Sequence, residues 1–362
     1  MDAADLIRPE IATMEPYTPI FPFEVLATRL GRAPGELVKL DANENPYGPA
    51  PRVRQALANL EHAHIYPDPQ SSALRAALAK FIDLPAEILL AGAGADELID
   101  LTMRLFLQPG DAIINCPPTF GMYPFDAAIS GARVISVPRH ADFSLDLDGI
   151  EAAAARHKPK LVFVASPNNP DGGWLPDADL ERLLALPLVV VLDEAYVEFA
   201  GMECSRIQQV AVRDNLIVLR TFSKWAGLAG LRIGYGAFSA TLMPHLWKIK
   251  QPYNVSVAAS AAAIAALEDQ DWLEPRIARI VEERRRLWEL LDSVPYLHPY
   301  PTRSNFVLCR VVDRSARDLK MALEQEGILI RYFDKPRLRD HVRVSVGQPE
   351  QTDALVAALR RL

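Results

Sequence analysis

Short, mostly apolar runs recur along the first two thirds of this chain, separated by stretches of helix length. Residues 87–90, 112–116, 133–137, 161–165, 188–192, 216–219 and 232–237 all read as strands. Such runs lack the in–out alternation of a half-exposed strand and predict burial on both faces. Between and around them, residues 50–60, 71–81 and 98–107 read as helices, the second with Ser71 at its start. An alanine-rich helix is expected over 256–267 and a long charged amphipathic one over 272–291, with 282–286 as its solvated face. Strands alternating with helices predict an α/β fold: a mostly parallel seven-stranded sheet between helices. Beyond residue 300 the pattern changes. Strands at 305–308, 328–330 and 342–346, with a helix over 315–326, predict a smaller α+β domain. The first fifty residues carry Pro9, Pro16, Pro19, Pro22, Pro34, Pro46 and Pro49 and read as an extended arm with one short helix at 22–30. The expected division is therefore 1–50, arm and part of the small domain; 51–270, large domain; and 271–362, small C-terminal domain.

The polar residues that interrupt this pattern fall at strand ends. In open parallel sheets, that is where ligands sit. After the first strand come Gly92, Gly94, Ala95 and Asp96, small residues that open a helix and let backbone N–H groups approach a phosphate. A dinucleotide fingerprint would need a third glycine where Glu97 stands. Phe120 follows the second strand; in isolation it reads as core packing, but it can also lie flat on a ring. Asn169 sits in a polar turn after residue 165. Asp193 ends an all-apolar run, which is costly for a carboxylate unless it is paired. It can cap the next helix or face a ring N–H, with Tyr196 three residues on. The most informative stretch follows Leu219: Thr221, Ser223, Lys224 and, eight residues later, Arg232. A lone lysine here would read as a snorkelling side chain. Beside two hydroxyls and a guanidinium it reads as an amine next to an anion cradle, which is what pyridoxal 5′-phosphate requires.

The segment Ser223-Lys224 followed by Gly227-Leu-Ala-Gly-Leu-Arg232 resembles that of fold-type-I pyridoxal-phosphate transferases, and within them the histidinol-phosphate aminotransferase family. Four positions depart from the family pattern: Trp225-Ala226 is swapped, Phe120 replaces a tyrosine, and Asp171 replaces a threonine in the Asn-Pro-Thr-Gly turn. The resemblance runs from Pro16 to Gly347 and implies roles residue by residue. Lys224 would carry the cofactor and shuttle the substrate proton, with Asp193 and Tyr196 as its catalytic companions. Gly94, Ala95, Asp96, Thr221, Ser223 and Arg232 would hold the phosphate. Phe120 would stack on the ring, and Asn169 would donate to its phenolate oxygen from a turn that allows a cis Asn169–Pro170 bond. Tyr66 would reach the neighbouring subunit's cofactor in a homodimer. Tyr17 and Asn43 on the arm, Asn169, and the guanidinium pair Arg331 and Arg343 would contact substrate. The implied reaction moves an amino group between L-glutamate and imidazole-acetol phosphate, giving L-histidinol phosphate and 2-oxoglutarate in histidine biosynthesis. An aromatic aminotransferase or a threonine-phosphate decarboxylase shares the fold and stands as the alternative.

Composition narrows the setting. A formal net charge of −7 argues against nucleic acid as a partner. No apolar run reaches the length of a membrane span, and the acidic start Met1-Asp-Ala-Ala-Asp5 is unlike a signal peptide. Cys116, Cys204 and Cys309 lie far apart and read as core thiols of a reducing compartment, so a cytoplasmic setting is expected. The seven histidines form no ligand cluster, and no metal is expected.

Overall fold

The computed structural model describes residues 1–16 and 23–362. Its larger sheet has seven strands in the spatial order Leu89–Gly92, Gly234–Ala237, Leu216–Thr221, Val189–Asp193, Leu161–Ala165, Ala112–Asn115 and Arg133–Ser136. Every pair is parallel except the two made by Gly234–Ala237, which runs against both neighbours. Six strands therefore deliver their carboxyl ends to one edge. The reversed strand delivers its amino end to the same edge, with Gly234 opposite both Gly92 and Thr221. That reversal brings Arg232 beside residues that its place in the chain would not suggest.

Both faces of the sheet are covered. Leu216 and Val218 pack into one apolar cluster, while Ile217 and Leu219 pack into another on the opposite face. An unbroken apolar run in sequence is thus what a doubly covered strand requires. The sequence-based boundaries shift at two strands. The first begins at Leu89 because Pro85 starts a 3₁₀ turn over Ala86–Ile88. The reversed one begins at Gly234 because Arg232 takes a left-handed conformation, φ 50°.

A second sheet of five strands has the order Val38–Leu40, Ile328–Tyr332, His341–Ser345, Phe306–Val311 and Leu297–Pro299. Its first pair is parallel and the rest are antiparallel. Val38–Leu40 and Leu297–Pro299, three residues each, are too short to show a period in sequence, and the closing helix Pro349–Arg361 also went unread. The helix Gln270–Asp292 leads from the large sheet into this one. Its segment 282–286 is not simply a solvated face. Glu283 is buried, and Arg284 Nη1 donates to Phe199 O and Ser304 O, both at 3.0 Å, so the charge ties the helix to a short helix of one unit and a turn of the other.

Candidate active site

The strand ends of the large sheet meet the arm and the small sheet in one place. Lys224 follows Leu216–Thr221, partly buried, and its Nζ donates to Ala42 O of the arm at 3.2 Å. The same nitrogen lies 5.9 Å from the centroid of the Tyr196 ring. Burial, and then the Arg343 charge, pull its pKa down to about 8. An amine so tuned is available unprotonated near neutral pH, as a nucleophile and base must be.

Asp193 closes Val189–Asp193 and is buried. Its Oδ2 accepts from the Tyr123 hydroxyl at 2.6 Å, and its Oδ1 from Ala195 N at 3.0 Å. Burial pushes its carboxyl up to about 6, with both hydrogen bonds pulling the other way. Tyr196 begins the short helix Val197–Ala200, and its hydroxyl accepts from Asn43 Nδ2 at 3.1 Å. Phe120 meets the Tyr123 ring edge-on at 5.6 Å.

The anion cradle is assembled from three segments. Gly94 has φ 86° and precedes the helix Ala95–Phe106, whose first turn includes Asp96. A Cβ on Gly94 would stand 2.7 Å from Arg232 Nη2, so only glycine leaves this backbone open beside the guanidinium. Arg232 Nη2 also pairs with Asp96 Oδ2 at 2.9 Å, and the Thr221 hydroxyl donates to Ser223 Oγ at 2.9 Å. Ala95 N would lie 2.6 Å from a Cβ on Gly234, a second position where bulk would close the space.

The loop that presents Asn169 is pinned from behind. Asn168 Oδ1 accepts from the Thr119 hydroxyl at 2.8 Å, and Asn168 Nδ2 donates to Pro118 O at 3.1 Å and to Asp171 Oδ1. Asp171 Oδ2 accepts from Gly173 N at 2.7 Å, so the carboxylate at the position of the expected threonine serves as a buried loop brace. The Asn169–Pro170 bond is trans; among the described residues the cis bonds are Pro117–Pro118 and Ser166–Pro167. Asn169 itself, with its side-chain oxygen, accepts from Arg343 Nη1 at 2.5 Å, and Arg343 Nη2 donates to Asp41 O at 2.8 Å.

Arg331 and Arg343 stand directly opposite each other on antiparallel strands. Like charges so placed repel. Their guanidiniums lie 5.4 and 5.5 Å from the Phe333 ring centroid, which sets a flat apolar wall beside two cations. Asn43, expected to face substrate, has its side-chain atoms engaged by Tyr196 and Ser345, the latter at 2.9 Å; Ser345 Oγ also accepts from Asn43 N at 2.8 Å. Asn305 Nδ2 donates to Asn43 O at 2.9 Å. Its φ of 57° suits asparagine better than most residues. Asn43 is therefore the junction that locks the arm to both units. Tyr17 falls outside the described residues. Tyr66 lies at the surface, 80% exposed, stacked on Tyr253 at 4.8 Å. Sequence reasoning missed Tyr123, Ser345 and Asn305, whose burial against the site comes from tertiary packing alone.

An amine, a phosphate-sized cradle, an aromatic wall and a deep carboxylate converge here. Comparison with known proteins agrees: the model of the aminotransferase class I and II family matches residues 35–359. This chain belongs to that family. It is 56% identical over 355 residues to the chloroplastic histidinol-phosphate aminotransferase of Nicotiana tabacum, covering 98% of this chain and 86% of that protein. It is 54% identical over 365 residues to the histidinol-phosphate aminotransferase of Roseiflexus castenholzii, covering 99% and 98%. Among solved structures, histidinol-phosphate aminotransferase from Sinorhizobium meliloti in complex with pyridoxal-5′-phosphate superposes with a TM-score of 0.89 at 31% identity, covering 98% and 96%. The enzyme is a pyridoxal-phosphate-dependent aminotransferase, and its own residues fit that cofactor: the bare backbone at Gly94 beside Arg232 suits the phosphate, and the buried Asp193 suits a ring N–H. Among the described residues, no group of three or more His, Cys, Asp and Glu side chains is placed to hold a metal ion. No described helix is long and apolar enough to cross a membrane.

The two readings of Asp193 separate in one experiment. Its Oδ1 does accept from Ala195 N, as a cap would. Asp193→Asn keeps that bond and the Tyr123 contact but removes the charge. We expect kcat to fall roughly 10²–10³-fold, the scale for losing one charge-stabilising group in a dry site. Stability of the cofactor-free protein should not fall. With a native pKa raised from 3.8 to about 6, the folded state binds more protons than the unfolded one in that window, so stability drops as pH rises through it. The asparagine variant lacks that drop and should melt no lower than wild type at pH 7. Equal, modest losses in rate and melting temperature would instead mark Asp193 as a helix cap.

Proposed function

We propose that this aminotransferase moves an amino group between L-glutamate and imidazole-acetol phosphate, giving L-histidinol phosphate and 2-oxoglutarate, a step of histidine biosynthesis. The observation that carries this reading is the pair Arg331 and Arg343 beside Phe333, with the Arg343 charge felt at Lys224. One donor presents carboxylates and the other a phosphate ester with no carboxylate. A guanidinium fork accommodates either, because both offer paired oxygens at similar spacing.

When bound, pyridoxal phosphate supplies an aldehyde for the substrate's amino group and a ring that withdraws electrons from Cα. This chain's residues do the rest. Lys224 Nζ is the amine for that aldehyde and, once released, the base that moves the Cα proton. The Ala42 carbonyl, already its hydrogen-bond partner, keeps it oriented. Asp193 would hold the proton on the ring nitrogen. Tyr196 and Asn169 would bracket the phenolate oxygen, Phe120 would cover the ring face, and Gly94, Ala95, Asp96, Thr221, Ser223 and Arg232 would retain the phosphate. Arg343 would bind the substrate anion and Arg331 would assist it. Kinetics with a panel of donors test the substrate. Histidinol phosphate should exceed tyrosine and phenylalanine in kcat/KM, with no carbon dioxide released from threonine phosphate. Preference for the aromatic acids, or decarboxylation, would overturn the assignment.

The same reading includes a homodimer with shared sites and a cytoplasmic setting. The exposed Tyr66–Tyr253 stack supports the first, since two surface aromatics side by side suit a partner surface. The dispersed cysteines support the second. Mixing Lys224→Ala with Tyr66→Phe subunits tests sharing. If Tyr66 acts in trans, the mixed dimer holds both lesions in one site and leaves the other whole, so activity should recover after subunit exchange. Confirmed exchange without recovery would place Tyr66 in its own subunit's site or in none.

A further inference from the structure

One buried titratable group touches the site and has no role in the reaction as described. Tyr123 lies in the first turn of the helix Met122–Ile129 and is fully buried. Its ring stacks on Phe163 at 5.0 Å and meets Phe120 edge-on, so it is held from two sides. Its hydroxyl points at the carboxylate that closes the neighbouring strand, 2.6 Å from Asp193 Oδ2. Burial, and the negative charge it faces, push its own pKa well above the usual tyrosine value, so the hydroxyl keeps its proton and remains a donor.

Asp193 needs such a donor. A carboxylate at the end of an apolar strand is disfavoured in its ionised form, and a free side chain would turn about its own bonds. The backbone N–H of Ala195 fixes one oxygen and the Tyr123 hydroxyl fixes the other, which together set the plane of the group. Both bonds have a charged acceptor, the stronger class of hydrogen bond.

We propose that Tyr123 is a positioning residue of this aminotransferase: its O–H holds the Asp193 carboxylate ionised and oriented toward the cofactor's ring nitrogen. The proposal rests on the assignment of Asp193 to that nitrogen. Phe120 would cover the ring and Tyr123 stands behind it, so the two aromatics three positions apart divide the work between covering the ring and tuning its partner.

The test is nitrogen-15 magnetic resonance of the holoenzyme loaded with pyridoxal phosphate labelled at the ring nitrogen. Wild type, Tyr123→Phe and Asp193→Asn are titrated with pH, and cofactor dissociation is measured by equilibrium dialysis. Tyr123→Phe removes one oxygen and keeps the ring, so the cofactor-free protein should melt close to wild type. We expect its ring nitrogen to lose its proton roughly one pH unit lower than in wild type. The cofactor should dissociate roughly 10- to 100-fold more readily, the range for losing a hydrogen bond to a charged group. In Asp193→Asn the nitrogen should be neutral throughout. If Tyr123→Phe titrates and binds as wild type while Asp193→Asn is neutral, Tyr123 only packs and the proposal fails alone. If Asp193→Asn also keeps the protonated nitrogen, the assignment of Asp193 fails and takes the proposal with it.

Discussion

Replacing Lys224 by alanine is expected to reduce amino transfer by at least roughly 10⁴-fold, the upper range for removing a positioned base, while the protein still folds and binds its cofactor. The lysine is an amine at the meeting point of the strand ends, the arm and Tyr196, tethered through Ala42 O. Burial outweighs the pull of Glu44 and Asp96 on its charge. Burial pulls its pKa from 10.5 to about 8, so the folded state binds fewer protons than the unfolded one between those values. Stability of the cofactor-free wild type should therefore rise with pH across that window, and Lys224→Ala should lose this rise. Below pH 8 the variant should melt at or above the wild-type temperature. The cradle of Gly94, Ser223 and Arg232 does not involve Lys224, so absorbance of the dialysed variant should show cofactor held without a covalent link. Wild-type rates in the alanine variant would remove Lys224 from the chemistry.

Arg343→Lys should cost roughly 2–5 kcal/mol in transition-state binding, read from kcat/KM with glutamate and with histidinol phosphate alike. Arg343 is buried on the strand His341–Ser345, and its two terminal nitrogens already diverge to Asn169 Oδ1 and Asp41 O. A lysine keeps the charge but offers one nitrogen, so it cannot hold Asn169, the arm and a paired-oxygen anion together. Its effect should be common to both donors, with cofactor still bound. A histidinol phosphate kcat/KM near wild type would mean that another group holds the phosphate, and the substrate assignment would revert to a generic amino acid.

The chain's own pattern made some of this legible and hid the rest. Leu216–Leu219 and Leu161–Ala165 read as doubly buried strands because each face of the sheet is packed by a separate apolar cluster. Lys224, Asp193 and Asn169 were legible because polar residues that interrupt such strands all arrive at one edge. Arg232 was legible only by spacing; its approach to Gly94 depends on a strand reversal that periodicity does not encode. Val38–Leu40 was hidden because three residues show no period, and its partner Ile328–Ile330 lies far along the chain. Asn43 was found, but its task was read differently, since its partners Ser345 and Asn305 come from the distant small sheet. Tyr123 was hidden, because the carboxylate it serves is 70 residues away.

A labelled amino group shows most directly which acceptor the enzyme uses. Purified holoenzyme given 15N-labelled L-glutamate and imidazole-acetol phosphate should place the label in L-histidinol phosphate, with 2-oxoglutarate formed in equal amount. Label that stays in glutamate, or that passes only to an added aromatic keto acid while imidazole-acetol phosphate is left untouched, would contradict the proposed reaction.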